Sequence, residues 1–183
     1  MSKELTKQAL WNDAAKAGLI FGAITIGYMV INQFLLGKVS ITITILSNVL
    51  WLAKLVGCIY LMRYLFLKLT REYSEVTNKV TRSYGIKISF LSSLLYSGFN
   101  LLYYSVISPE AVKELFTTMK TNMGSMLDSN SLQVLDSLEN SYAQISFFSN
   151  FIYCFLFGII LSAILSSSIP RKDPFTAYKT PEE

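Results

Sequence analysis

Lys54 is the residue in this chain whose type and setting most suggest chemistry. It lies thirteen residues into an apolar run that begins at Ile41. At about 1.5 Å per residue that is roughly 20 Å along a helix, past the centre of a bilayer. An ammonium at such depth costs roughly 2.5–3.5 kcal/mol on insertion scales, so it faces a bundle interior or a polar cavity and finds partners there. No acid occurs in any apolar run of the chain. The candidate partners are therefore the phenols at comparable depth, Tyr28, Tyr96 and Tyr153. The face around Lys54 carries Ser47, Trp51, Gly57, Cys58 and Leu61, a mixed and partly small surface. Asn32, Asn48, Asn100 and Asn150 add one amide to the outer half of each of four apolar runs. Together these residues form a candidate intramembrane polar site for a substrate or an anion. The competing reading is structural, with the lysine snorkelling, neutral or bound to a lipid headgroup. The asparagines would then bond across helices for roughly 0.6–2 kcal/mol each.

Other chemistry is thinly represented. Met119, Met123 and Met126 fall at i, i+4 and i+7, and thioethers at that spacing can ligate Cu(I). Methionine on an amphipathic helix more often fills apolar gaps, and the expectation is no metal and no cofactor. The sequence contains no histidine, which removes the commonest general base, metal ligand and pH switch near neutrality. The two cysteines, Cys58 and Cys154, sit inside apolar runs and make no disulfide framework. With no intramembrane acid, no paired carboxylates, no Cys/His pair and no Gly-rich phosphate loop, an enzyme is not expected.

The elements that must position these residues follow from composition. Of 183 residues, 52% are hydrophobic and 15% charged, against roughly 25% charged in ordinary soluble domains. The charges lie almost entirely between four apolar blocks, which give expected spans at 17–36, 41–63, 88–108 and 145–169. Each is long enough to cross a hydrocarbon core of about 30 Å. The first is too long for a cleaved signal peptide and lacks a small-residue cleavage site after it. Residues 3–16 before it could lie at the interface, with Trp11 as a belt residue. The second block stays apolar to Leu67, so its helix must tilt or emerge. Arg63 reads as a topology anchor. The 37–40 connector is short enough to make the first two helices an antiparallel hairpin.

Ser108-Pro109-Glu110 reads as a helix start, with a capping hydroxyl, proline at the first position and an acid in the first turn. Val112, Leu115, Phe116, Met119 and Met123 then mark one helical face. Ser129-Asn130-Ser131 reads as a break before a second stripe of Leu132, Leu135, Leu138 and Tyr142. The fold class is thus an all-α membrane protein of four transmembrane helices in an antiparallel bundle. A small external helical hairpin (109–144) lies between the third and fourth spans, 64–87 forms a cytoplasmic loop, and 170–183 is a loose tail.

Small residues recur every four positions on two spans: Cys154, Gly158, Ser162 and Ser166 on the last, Gly18 and Gly22 on the first. In lipid such ridges let helix backbones approach closely, either inside the bundle or across a homodimer. Orientation follows from the basic residues. With both termini and 64–87 inside, twelve fall in the cytoplasm and only Lys38, Lys113 and Lys120 outside. The net charge of +4 reflects this flanking pattern, and no nucleic-acid partner is implied.

Three stretches carry a resemblance. They are Ala17-Gly18-Leu19-Ile20-Phe21-Gly22; Tyr84-Gly85-Ile86-Lys87-Ile88-Ser89-Phe90, leading to Tyr103-Tyr104 and Ser108-Pro109-Glu110; and Phe157-Gly158-Ile159-Ile160-Leu161-Ser162. In them the chain resembles the domain-of-unknown-function 4199 family, four-span proteins found mostly in Bacteroidota. The resemblance implies a multi-pass protein of the bacterial inner membrane. It implies no activity and transfers no functional residue.

The function expected on these grounds is a non-catalytic membrane subunit or scaffold that engages an envelope partner or a second copy of itself. The alternative is a small oligomeric carrier using Lys54 with the Asn/Tyr layer. The absence of an intramembrane acid and of an inverted repeat weighs against that carrier. Reporter fusions after Lys38 and within 125–137 are expected to lie outside, and fusions near Glu75 and at the C-terminus in the cytoplasm. One reversed reporter would overturn the span count.

Overall fold

The computed structural model describes residues 6–36, 41–73, 76–123 and 128–169. These contain no strand. They form α1 (Lys7–Leu36), α2 (Ile41–Glu72), α3 (Asn78–Leu102), a π-helical turn (Tyr103–Ile107), α4 (Pro109–Met123) and α5 (Ser129–Ser167). Among them, α1, α2, α3 with its π turn, and α5 are long and apolar enough to cross a membrane. The 37–40 connector, Met126 and the tail after Ile169 lie outside the described residues.

The helices outrun the apolar blocks. α2 has 32 residues and α5 has 39, roughly 48 and 58 Å at about 1.5 Å per residue, against a core of about 30 Å. Most of the expected 64–87 loop is therefore helical, ending α2 at Glu72 and opening α3 at Asn78. Thr77 caps α3 by accepting from the Val80 N–H. Of the segment before the first block, residues 7–16 are likewise no separate interfacial piece, and residues 3–5 lie outside the described residues. Residues 7–16 form the first turns of α1, because Leu10, Ala14, Ala17 and Phe21 continue one buried stripe. Trp11 on the other side is 47% exposed.

At the far end, α5 begins at Ser129, with the Asp128 carboxylate accepting from the Ser131 N–H at 2.9 Å. The expected break at Ser129–Ser131 is thus a first helical turn. The second arm of the hairpin and the last span are one helix, since nothing between Leu132 and Ile169 ends the pattern.

α3 is the axis of the bundle. Its face Gly85, Ser89, Ser93, Ser97 is buried along its length, a third small-residue ridge at four-residue spacing. A Cβ on Gly85 would run into Ser162, and one on Gly158 into Ser89. α3 and α5 therefore run antiparallel in one register, which continues to Thr81 opposite Ser166 and Ser93 opposite Cys154. On its other side α3 runs parallel to α1. Tyr84 bonds Asp13, Asn100 bonds Met29 and Gln33 bonds Tyr104, each pair separated by 71 residues. Gly18 and Gly22 complete that seam, against Leu91 and Leu95.

The buried core gathers where α1 starts and α2 ends: Leu10, Ala14, Ala17 and Phe21 with Met62, Phe66, Leu69, Tyr84, Ile88 and Ile169. This end also carries most of the basic residues and is called the basic end below; the α4–α5 end is the hairpin end. Away from the basic end α2 is peripheral, presenting Ile45, Val49, Leu52, Val56 and Tyr60 outward, the lipid-facing pattern of a spanning helix.

Gly158→Leu is expected to cost roughly 1–3 kcal/mol of stability in detergent, because the added side chain must separate two backbones at Ser89. Ile160→Leu, at a position 59% exposed, is expected to be neutral by the same thermal-unfolding measurement. Equal behaviour of the two would sink the packing assignment.

Candidate functional site

Only part of the expected site assembles around Lys54. Its ammonium lies 4.3 Å from the centroid of the Tyr28 ring, a cation–π contact between α2 and α1. Such contacts are worth about 0.5–2 kcal/mol, more as water is excluded. Cys58, one turn on in α2, and Cys154 on α5 are half-buried free thiols. Tyr96, on α3, is half-buried and makes no ring contact with Lys54 among the described residues. Tyr153 is 68% exposed and points away from the bundle. It is not a partner of Lys54, because its position on α5 lies off the Cys154–Gly158 face.

The asparagines divide in the same way. Ser47 donates to Asn32, joining α2 to α1. Ser146 donates to the buried Asn100 at 3.1 Å, joining α5 to α3, and Asn150 donates to the Ser146 carbonyl at 2.8 Å within α5. Asn48 is exposed and joins neither group. Three of the four amides therefore sit in inter-helix or adjoining bonds, and they do not line one common chamber. Gly18, Gly22, Gly158, Ser162 and Ser166 are spent inside the chain, on α3. Met119 and Met123 are exposed on α4, with no metal-ligating cluster of His, Cys, Asp or Glu among the described residues.

A second polar group is absent from the sequence expectation. At the hairpin end the last turn before α4 is a π helix, closed by the Ser108 N–H on the Tyr103 carbonyl at 2.7 Å. π turns arise where one extra residue is accommodated, often at functional sites. Here the turn carries Tyr104, whose hydroxyl accepts from Gln33 of α1 at 3.2 Å. The Tyr104 and Tyr142 rings meet edge-on at 5.2 Å, and Phe116 of α4 packs on Tyr142 at 5.8 Å. Beside this aromatic knot a cleft of about 280 Å³ opens between α4 and α5, with Ser105, Lys113, Glu139, Asn140 and Gln144 among its walls. The only sequence signal for it is the Tyr103-Tyr104 pair, four residues before Ser108-Pro109.

The α4–α5 hairpin is closed electrostatically. Lys120 donates to Asp136 at 2.6 Å and to Glu139 at 2.9 Å, and these two carboxylates hold its ammonium above the usual lysine range. The Ser131 side chain and N–H hold the Asp128 carboxyl below its usual range. Lys113 pairs with Glu110 at 3.3 Å. Both lysines of the hairpin are thus occupied, and Glu114 is left in no ion pair among the described residues.

A family model described as a protein of unknown function (DUF4199) matches residues 16–167. No curated protein and no solved structure matches the chain.

The Lys54–Tyr28 contact is tested by a double-mutant cycle. Tyr28→Leu is expected to lower stability in the Lys54 parent by about 0.5–2 kcal/mol more than in Lys54→Met. Tyr153→Leu is expected to show no such coupling. Zero coupling at Tyr28 would remove the contact.

Proposed function

The chain belongs to the DUF4199 family, and on that premise we propose that it is a non-catalytic membrane subunit or scaffold that holds an envelope protein on its α4–α5 hairpin. The basic end faces the cytoplasm and the hairpin faces outward by the distribution of basic residues, in the bacterial inner membrane that the family resemblance implies. The observation that carries the reading is the surface of the hairpin. α4 turns Val112 and Phe116 inward and leaves Leu115, Met119 and Met123 exposed at four-residue spacing. α5 leaves Leu132, Val134 and Leu138 exposed beyond the membrane-length part of the helix. Apolar stripes on an extramembrane element mark an interaction surface.

Charge narrows the partner. The hairpin carries Glu110, Glu114, Asp128, Asp136 and Glu139 against Lys113 and Lys120. An anionic membrane surface repels such an element, whereas a protein with an apolar patch rimmed by basic residues complements it. The carrier alternative draws no support from the surroundings of Lys54, which rests on Tyr28 as a pin between helices.

Affinity purification of the tagged full chain in mild detergent is expected to yield one stoichiometric envelope protein. Leu115→Asn with Met119→Asn is expected to lose that protein while thermal unfolding stays within about 0.5 kcal/mol of the parent, as for surface changes generally. Retention of the partner by this variant, or a small molecule retained in place of any protein, would overturn the proposal.

A further inference from the structure

At the basic end a second cleft of about 280 Å³ runs between α1 and α3. Three of its walls are lysines: Lys7 from α1, and Lys79 and Lys87 from α3. Lys79, Ser83 and Lys87 follow at four-residue intervals on one face of α3, and Lys7 and Trp11 do so on α1. Because the two helices run parallel, these faces meet along their length. The Lys87 ammonium lies 5.3 Å from the Trp11 ring centroid and donates to the Ser83 hydroxyl at 2.9 Å. None of the three lysines forms an ion pair among the described residues. Among the described residues the acid nearest these walls in sequence, Asp13, is not one of them, and it already accepts the Tyr84 hydroxyl at 2.7 Å; Glu4 and Glu75 lie outside the described residues. The rest of the lining is Leu10, Trp11 and Val80.

We infer that this cleft binds the phosphate of an anionic phospholipid headgroup, with the lipid's glycerol and upper acyl chain lying against Trp11, Leu10 and Val80. Three cations with no acid among the described walls select a phosphate-bearing anion. The level of the cleft selects a lipid over a free phosphate. Lys87 immediately precedes the apolar run at Ile88, and Trp11 lies about 9 Å before the one at Ala17, at about 1.5 Å per residue. That is headgroup depth, where an indole spans the polar and apolar layers. A soluble anion would leave the apolar wall unused. The inference is independent of any partner on the hairpin at the opposite end.

The chain has two tryptophans, Trp11 and Trp51, so Trp51→Phe leaves a single fluorophore in the cleft. Titration of this protein in neutral detergent with phosphatidylglycerol is expected to give a saturable change in Trp11 emission, and phosphatidylcholine none. Lys79→Gln and Lys87→Gln are each expected to weaken binding about fivefold. Lys68→Gln with Arg71→Gln removes two charges from the same end of the bundle but outside the cleft, and is expected to leave binding unchanged. Lys79 is exposed, so its variant folds and carries the test even where Lys87→Gln does not. Equal weakening by the Lys68/Arg71 pair would reduce the effect to diffuse charge and overturn the site. An equal response to phosphatidylcholine would overturn the headgroup selectivity. Reproduction of the signal by millimolar inorganic phosphate would overturn the lipid assignment in favour of a soluble ligand.

Discussion

In a bilayer the solvent is as apolar as leucine, so helices cannot be held together by burying apolar surface. The close approach of α3 to its two neighbours is the contact on which the rest of this bundle rests. Gly85 against Ser162 and Ser89 against Gly158 are reciprocal: each helix offers a glycine where the other offers a serine. Serine serves here because its hydroxyl is small and can be satisfied within its own helix. Ser89 donates to the Gly85 carbonyl at 2.8 Å and Ser162 to the Gly158 carbonyl at 2.6 Å. The ridge therefore packs closely without leaving those donors bare in hydrocarbon, where an unsatisfied polar group is costly.

That choice of axis decides where the larger polar groups can go. With α3 in contact with both α1 and α5, the amide of Asn100 is enclosed between Met29 and Ser146. The phenol of Tyr84 is enclosed at the other end, against Asp13 and Phe66. α2 is left at the edge over most of its length, joined to α1 through Asn32 with Ser47 and Tyr28 with Lys54. A lysine on an edge helix can rest on an aromatic ring and stay partly exposed, which explains how the chain carries an ammonium in a span that has no acid.

How far the sequence discloses this arrangement depends on the range of the interaction concerned. The four spans and their alternating direction are local properties of hydropathy and connection length, and they are legible. The ridges on α1 and α5 are legible too, and the one on α3 follows from the same four-residue spacing of Gly85, Ser89, Ser93 and Ser97. What the sequence does not reveal is pairing. Nothing local says that Cys154 is half-buried while Tyr153, its neighbour, faces outward, because one residue on a helix is a rotation of about 100°. The choice of Tyr28 over Tyr96 likewise depends on which helices touch. The lysine cleft is hidden for the same reason. Lys7 and Lys79 lie 72 positions apart, and only the parallel register of α1 and α3 sets them side by side.

The hairpin end shows how a local irregularity fixes a distant surface. An uninterrupted α3 would carry its axis past the end of the bundle; the π turn at Tyr103–Ile107 and the proline at position 109 end it and start α4 in a new direction. The wide turn also swings Tyr104 to where Gln33 and the Tyr142 ring both reach it. α5 then returns without a break from Asp128 to the basic end, so the hairpin is no appended module. Its second arm is the same rigid helix that carries Gly158 and Ser162. Lys120, bound to Asp136 and Glu139 one turn apart, holds α4 to that helix. The exposed stripes of the hairpin are thus held in a fixed orientation relative to the α3–α5 seam. A surface on a continuous helix needs no further ordering when a partner docks, and that lowers the entropic cost of recognition.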